Sequence, residues 1–229
     1  VRMAGRIKGP HSTAFLVSKL DDDNVVQKDR IVHALWLKEF HPEGNIEKEK
    51  LSTVLHHYLK TGIDKEKDYN SIPDFTHKDL LSRSVFTEVK NDLIVALKAC
   101  SLLFTKKEIN RVLELLESDK HEKLYNAMEM LELVLPKRIS KELNLLFDFI
   151  LDPLHHSRIG AKHEAKTLLN KIFFNSHSIY NPWTKAVCIY SSWKNNETDF
   201  LDKLKAQDDK KEHYLVRETK THVLDSINQ

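Results

Sequence analysis

The sequence predicts an all-α protein, an α-solenoid in which antiparallel helix pairs stack into a superhelix, and three observations carry that prediction. Apolar residues recur at spacings of three and four along nearly the whole chain. Polar punctuation falls about every 10 to 20 residues, which is helix-and-turn spacing. Five glycines and six prolines in 229 residues are few for a fold built on tight turns, and strand-type alternation is hard to find. With 41% apolar and 31% charged residues the chain has the material for a folded domain, unlike a disordered tail.

The elements follow in order. Helices are predicted at 11–20, 25–40 and 46–60. The polar stretch 62–75, GIDKEKDYNSIPDF, reads as an irregular insertion inside a single domain covering 1–229. Phe86, Val89, Leu93, Ala96, Leu97, Cys100, Leu103 and Phe104 then form one apolar stripe along about five turns of helix. Thr105 and Glu108 have capping-box spacing and open a helix at 106–117. Leu124, Ala127, Met128, Leu131, Val134 and Leu135 make one face of the next, stopped by Pro136, whose ring and missing N–H cannot continue it. Further helices are predicted at 141–151 and 159–174. Asn181-Pro182-Trp183 reads as a cap followed by a proline at the first helical position. The last two helices are predicted at 198–206 and 212–227.

Three segments share one design: 15–36, 112–131 and 200–224 each contain an apolar helix, an acidic turn and a second amphipathic helix. With Arg217 as a register mark, the equivalent positions are Lys185, His121 and Lys28, at successive separations of 32, 64 and 93 residues. These are multiples of about 31 to 32, a repeat length typical of helical solenoids.

The pairs resemble HEAT repeats, whose second helix commonly follows a turn aspartate and carries a basic residue after a valine, as do Asp209 and Val216-Arg217. The first pair departs from this with Gln27-Lys28, and the middle one has His121 at the basic position. More narrowly, NAMEMLELVLPK at 126–137 and NPWTKAVCIYSS at 181–192 resemble stretches of the soluble HEAT-like extension of bacterial nucleotide transporters of the ATP/ADP antiporter type. The resemblance implies a cytoplasmic accessory on the inner side of a membrane. Its implied partner is a protein or peptide, including the transporter part of its own polypeptide; separately, apolar surface expected at the N-terminal end, around Met3 to Gly5, points to a homodimer. The resemblance also implies inter-repeat polar contacts at Asp22, Lys28, Lys185, Asp209 and Arg217. The opening VRMAGRIKG has neither an initiator methionine nor an apolar signal core and is read as lying within a longer polypeptide, with Met3 to Gly5 ending an earlier repeat.

The chemistry-bearing residues point away from catalysis. Thirteen histidines include His56-His57, His155-His156 and His163, but adjacent histidines on a helix diverge by about 100° and no HExxH occurs. No metal and no cofactor is therefore expected. Cys100 and Cys188 sit in apolar patterns that suit buried free thiols and a reducing compartment. The glycines stand too far apart to cradle phosphate. Trp36, Trp183, Tyr190 and Trp193 are the candidates for an interaction surface, weighed against packing between helices. The net charge of +2, with 28 lysines and 8 arginines, is weak for a polyanion binder, so specific nucleic-acid binding is not expected. A non-catalytic interaction or regulatory module is the leading reading. A HEAT-like DNA-binding or DNA-repair enzyme of glycosylase type is the alternative, and it requires a basic concave stripe.

Overall fold

The computed structural model describes residues 5–7, 9–21, 25–72, 78–104, 106–117, 121–152, 162–208, 210 and 212–227, with the backbone alone at 25–27, 78–79, 117, 121–122 and 162–165. Among them are eleven helices and no strand. They are α1 (Pro10–Ser18), α2 (Val25–Leu37), α3 (Asn45–Asn70), α4 (Lys78–Leu103), α5 (Lys106–Glu117), α6 (His121–Val134), α7 (Lys137–Leu151), α8 (Lys162–Phe173), α9 (Pro182–Lys194), α10 (Thr198–Ala206) and α11 (Tyr214–Ile227). The all-α class is as expected. No helix among the described residues is long and apolar enough to cross a membrane.

The largest departure from the sequence reading concerns 62–75. Residues 62–70 are not an irregular insertion but the last turns of α3, a helix of 26 residues. Glycine costs a helix about 1 kcal/mol against alanine, yet Gly62 lies within α3. Its backbone lies so close to α7 that an added Cβ would stand 3.1 Å from Leu146 Cδ1. Glycine here admits a close helix approach. Residues 73–77 lie outside the described residues. The other long helix, α4, begins at Lys78, eight residues ahead of the predicted apolar stripe.

The expected single domain divides into two compact units, 1–63 with 90–151 and 64–89 with 152–229. In the first, Leu16, Ile31, Leu35, Leu51, Leu55 and Leu59 are buried, together with Leu93, Ala96, Leu97 and Cys100 of the predicted stripe. Here α1 packs on α2, α5 on α6, and α6 on α7. Leu124, Ala127, Met128, Leu131 and Leu135 are buried as expected, whereas Val134 stands outside the core. The helix α2 ends in a Schellman turn: Glu39 takes a φ of 54°, its N–H reaching Trp36 O and that of Phe40 reaching Leu35 O.

The second unit is organised by α9, which packs against α8, α10 and α11. Its core joins Ile72, Leu81 and Val85 to Leu169, Ile172, Phe173, Cys188, Ile189, Phe200, Leu204, Val216 and Val223. The predicted start of α9 is present in detail: Asn181 Oδ1 accepts from the Thr184 N–H at 2.9 Å, and Pro182 follows. Its end is a second Schellman turn, with Asn196 at φ 55°. The predicted cap at Thr105 lies outside the described residues.

Burial gives a direct check on α6. Replacing Leu131 with alanine should cost about 2–5 kcal/mol, whereas Leu133→Ala, two residues on and on the exposed side of the same helix, should stay within about 0.5 kcal/mol. Urea unfolding of both variants with unchanged m-values is the measurement.

Candidate functional site

On α3 the helical spacing of inward-facing positions continues beyond Tyr58 and Leu59, but the residues there are Thr61, Lys65 and Asp68, all buried. A buried charge costs several kcal/mol unless it is paired and hydrogen-bonded. In the second unit that requirement is met by groups from α4, α8 and the segment leading into α9. Lys65 Nζ stands 2.8 Å from Glu88 Oε2, with the two side chains 4% and 5% exposed. The other oxygen of Glu88 accepts the Asn181 N–H at 3.0 Å, so the capping residue of α9 is held from both sides. Asp68 accepts from the Tyr180 hydroxyl at 2.8 Å and pairs with Lys171 at 2.7 Å. Lys65 also lies 5.9 Å from the centre of the Tyr180 ring, and Ser84 meets Thr184 at 2.6 Å. Burial, then the adjacent Asp68 carboxylate and the Glu88 charge, push the Tyr180 phenol well above its usual range. These charges face opposite charges or hydrogen-bond partners inside the fold, so the cluster fixes position.

The predicted surface aromatics are distributed between the two units. Trp183 lies at the start of α9 and is 55% exposed. Tyr190 and Trp193 are one turn apart on the same helix, with ring centres 5.8 Å apart and edge to face. Trp193 meets His222 of α11 at 6.0 Å and is packed on the core, while Lys194 Nζ stands 3.8 Å from its ring centre. Beside them a shallow groove of about 540 Å³ runs along α11, lined by Tyr214, Arg217, Glu218, Thr221, His222 and Asp225. Trp36 belongs to the first unit, where its indole N–H donates to Asn110 Oδ1 at 3.1 Å. His33 stacks on it at 5.9 Å, and Lys98 lies 5.1 Å from its ring centre. Burial and then the Lys98 charge lower the His33 pKa.

Lys28, Lys185 and Arg217 each occupy the fourth position of their helices, α2, α9 and α11. Lys185 pairs with Glu212 at 3.5 Å, and Arg217 is exposed in the α11 groove. His121 opens its helix and so breaks that register. Asp22, Asp209, Met3, His155 and His156 lie outside the described residues, as does the side chain of His163. Cys100 and Cys188 are buried free thiols whose pKa burial drives upward. No group of three or more His, Cys, Asp or Glu among the described residues is placed to hold a metal. The cluster of Lys65, Asp68, Glu88 and Tyr180 was missed by the sequence reading. The signal was the run of positions 58, 61, 65, 68 and 72, which keeps helical spacing through polar residues.

Comparison of the chain with protein-family models, curated proteins and solved structures returns no match.

Two outcomes are expected of this chemistry. Lys65→Met should destabilise by about 3–5 kcal/mol, because it strands Glu88, and Lys65→Met/Glu88→Gln should cost less than the sum of the single changes. A double-mutant cycle in urea measures the difference. The raised phenol pKa of Tyr180 gives a sign with pH: its stabilising effect is complete below the unfolded value near about 10 and is lost above it, as the unfolded chain ionises first. Stability should fall there by up to about 1.4 kcal/mol per pH unit for each such tyrosine. Tyr58, raised likewise by burial and by Asp29, adds to that slope. Tyr180→Phe should flatten the slope in alkaline unfolding titrations.

Proposed function

We propose that the chain is a non-catalytic protein-interaction or regulatory module, made of HEAT-like helix pairs in a solenoid and belonging to the cytoplasmic side of a larger polypeptide similar to a nucleotide transporter of the ATP/ADP antiporter type. The transporter element rests on the resemblance of 126–137 and 181–192. The repeat element is supported by the shared fourth-residue position of Lys28, Lys185 and Arg217.

The observation that carries the interaction reading is the α11 groove. Tyr214 is exposed at one end, Arg217 projects from the next turn, and Glu218 and Asp225 supply the opposite charge. Aromatic and arginine side chains beside mixed charges are the composition of protein-binding hot spots. With His222 backed by Trp193, the groove suits a peptide or helix that presents an apolar anchor between an acidic and a basic group. Phosphate recognition would call for a surface of one sign, and this groove has both.

Peptides selected by display against the chain and titrated into ¹⁵N-labelled protein should shift resonances of α11 and the end of α9. Tyr214→Ala/Arg217→Glu should abolish the shifts without altering the circular dichroism. Tight duplex-DNA binding that falls ~10³-fold or more between about 50 and 200 mM salt would replace this reading with the DNA-repair alternative.

A further inference from the structure

In the first unit a lysine and a histidine meet nitrogen to nitrogen. Lys98 Nζ of α4 stands 3.0 Å from His33 Nδ1 of α2. An ammonium offers only N–H donors, so Nδ1 is the acceptor and the proton of the neutral imidazole is on Nε2. The His33 ring stacks on Trp36 one turn along α2, with ring centres 5.9 Å apart and 24° between the planes. The Lys98 ammonium lies 5.1 Å from the centre of the same indole. That indole is anchored from a third helix, because its N–H donates to Asn110 Oδ1 of α5 at 3.1 Å.

The other charges around His33 are engaged elsewhere or remote. Among the charged groups of the described residues, Lys98 is the one that acts on it. Asp29 and Arg30 lie on the preceding turn of α2, where Asp29 accepts from the Tyr58 hydroxyl of α3. On α5, Lys106 pairs with Glu39 at 2.7 Å, and the group presented to the indole is the neutral Asn110. The helix α1, which packs on α2, has His11 as its one titratable residue.

We propose that His33 and Lys98 form an acid-released latch between α2 and α4, in which the two side chains exchange the cationic place beside Trp36. Adding a proton to Nδ1 removes the lone pair that accepts the Lys98 N–H and sets two positive charges against each other. His33 rides on the same helix as Trp36, so the imidazolium keeps its stack as a cation on an indole. Lys98 stands on a flexible four-carbon stem and is the partner that leaves. Burial and then the Lys98 charge lower the His33 pKa, which puts the opening on the acid side of the ordinary histidine value of about 6.5. As pH falls the unfolded chain takes up its proton first, so the latch stabilises above about 6.5 and its contribution is lost below. This device lies apart from the α11 groove, and neither reading depends on the other.

A pH titration of the ¹⁵N,¹³C-labelled chain between about pH 4.5 and 8, followed at the His33 ring, the Lys98 side chain and the Trp36 indole N–H, tests it. At neutral pH the ring nitrogens should report the Nε2–H tautomer. On acidification the Lys98 and Trp36 resonances should move with the same midpoint as His33, below that of an ordinary histidine. Lys98→Met should raise the His33 midpoint, and His33→Gln should abolish the acid step at Lys98 and Trp36 with the circular dichroism unchanged. An Nδ1–H tautomer at neutral pH overturns the proposal, and the wild-type chain alone decides that point. So does a Lys98 side chain indifferent to His33 protonation, or a midpoint that Lys98→Met leaves in place or lowers.

Discussion

The fold of the second unit depends on one constraint: a lysine that would ordinarily be solvated is enclosed on α3 and has to be held there. Lys65 is answered by Glu88 of α4, and Glu88 in turn accepts the backbone N–H of Asn181. Desolvation of such a pair can exceed its Coulombic gain, so the arrangement persists only if the remaining lone pairs and protons are also satisfied. That condition draws in neighbouring elements. Tyr180 bonds Asp68 one turn along α3, and Asn181 starts α9, the helix on which α8, α10 and α11 pack. The carboxylate that makes Lys65 tolerable thus also holds the capping residue of α9 in place.

The continuation of α3 through 62–70 was illegible for a physical reason. Periodicity methods look for apolar residues at buried positions, and here the buried positions are Thr61, Lys65 and Asp68. Their partners Glu88, Lys171 and Tyr180 are 23, 103 and 112 residues away in the chain, so no local pattern announces the compensation. Gly62 misleads in the same direction, because its role is set by Leu146 on a distant helix. The start of α9 was legible for the opposite reason. Asn181 and Pro182 act on amides within three residues of themselves, and that chemistry is carried by the local sequence.

The outer faces show a second limit. In the leucine-rich segment at 126–135, apolar residues occur nearly all round the helix, so periodicity places Leu131 correctly and misplaces Val134. An apolar residue in such a helix is ambiguous between core and surface until its neighbours are known. The tryptophans show the same ambiguity: Trp36 and Trp183 are alike as letters, yet one donates to Asn110 within its unit and the other is open to solvent.

Charges of identical type serve opposite ends in the two settings. Lys166 and Asp199 approach to 2.6 Å on the surface, closer than Lys65 and Glu88, yet both are exposed, and such pairs contribute only ~0–1 kcal/mol. Distance alone does not rank the pairs, because what matters is the solvent that competes for each group. Enclosure makes the interior pair intolerant of change, and a relocated partner there would leave a charge stranded. At the surface, charges are replaceable at little cost to stability, and their pattern is left to be set by what the face meets.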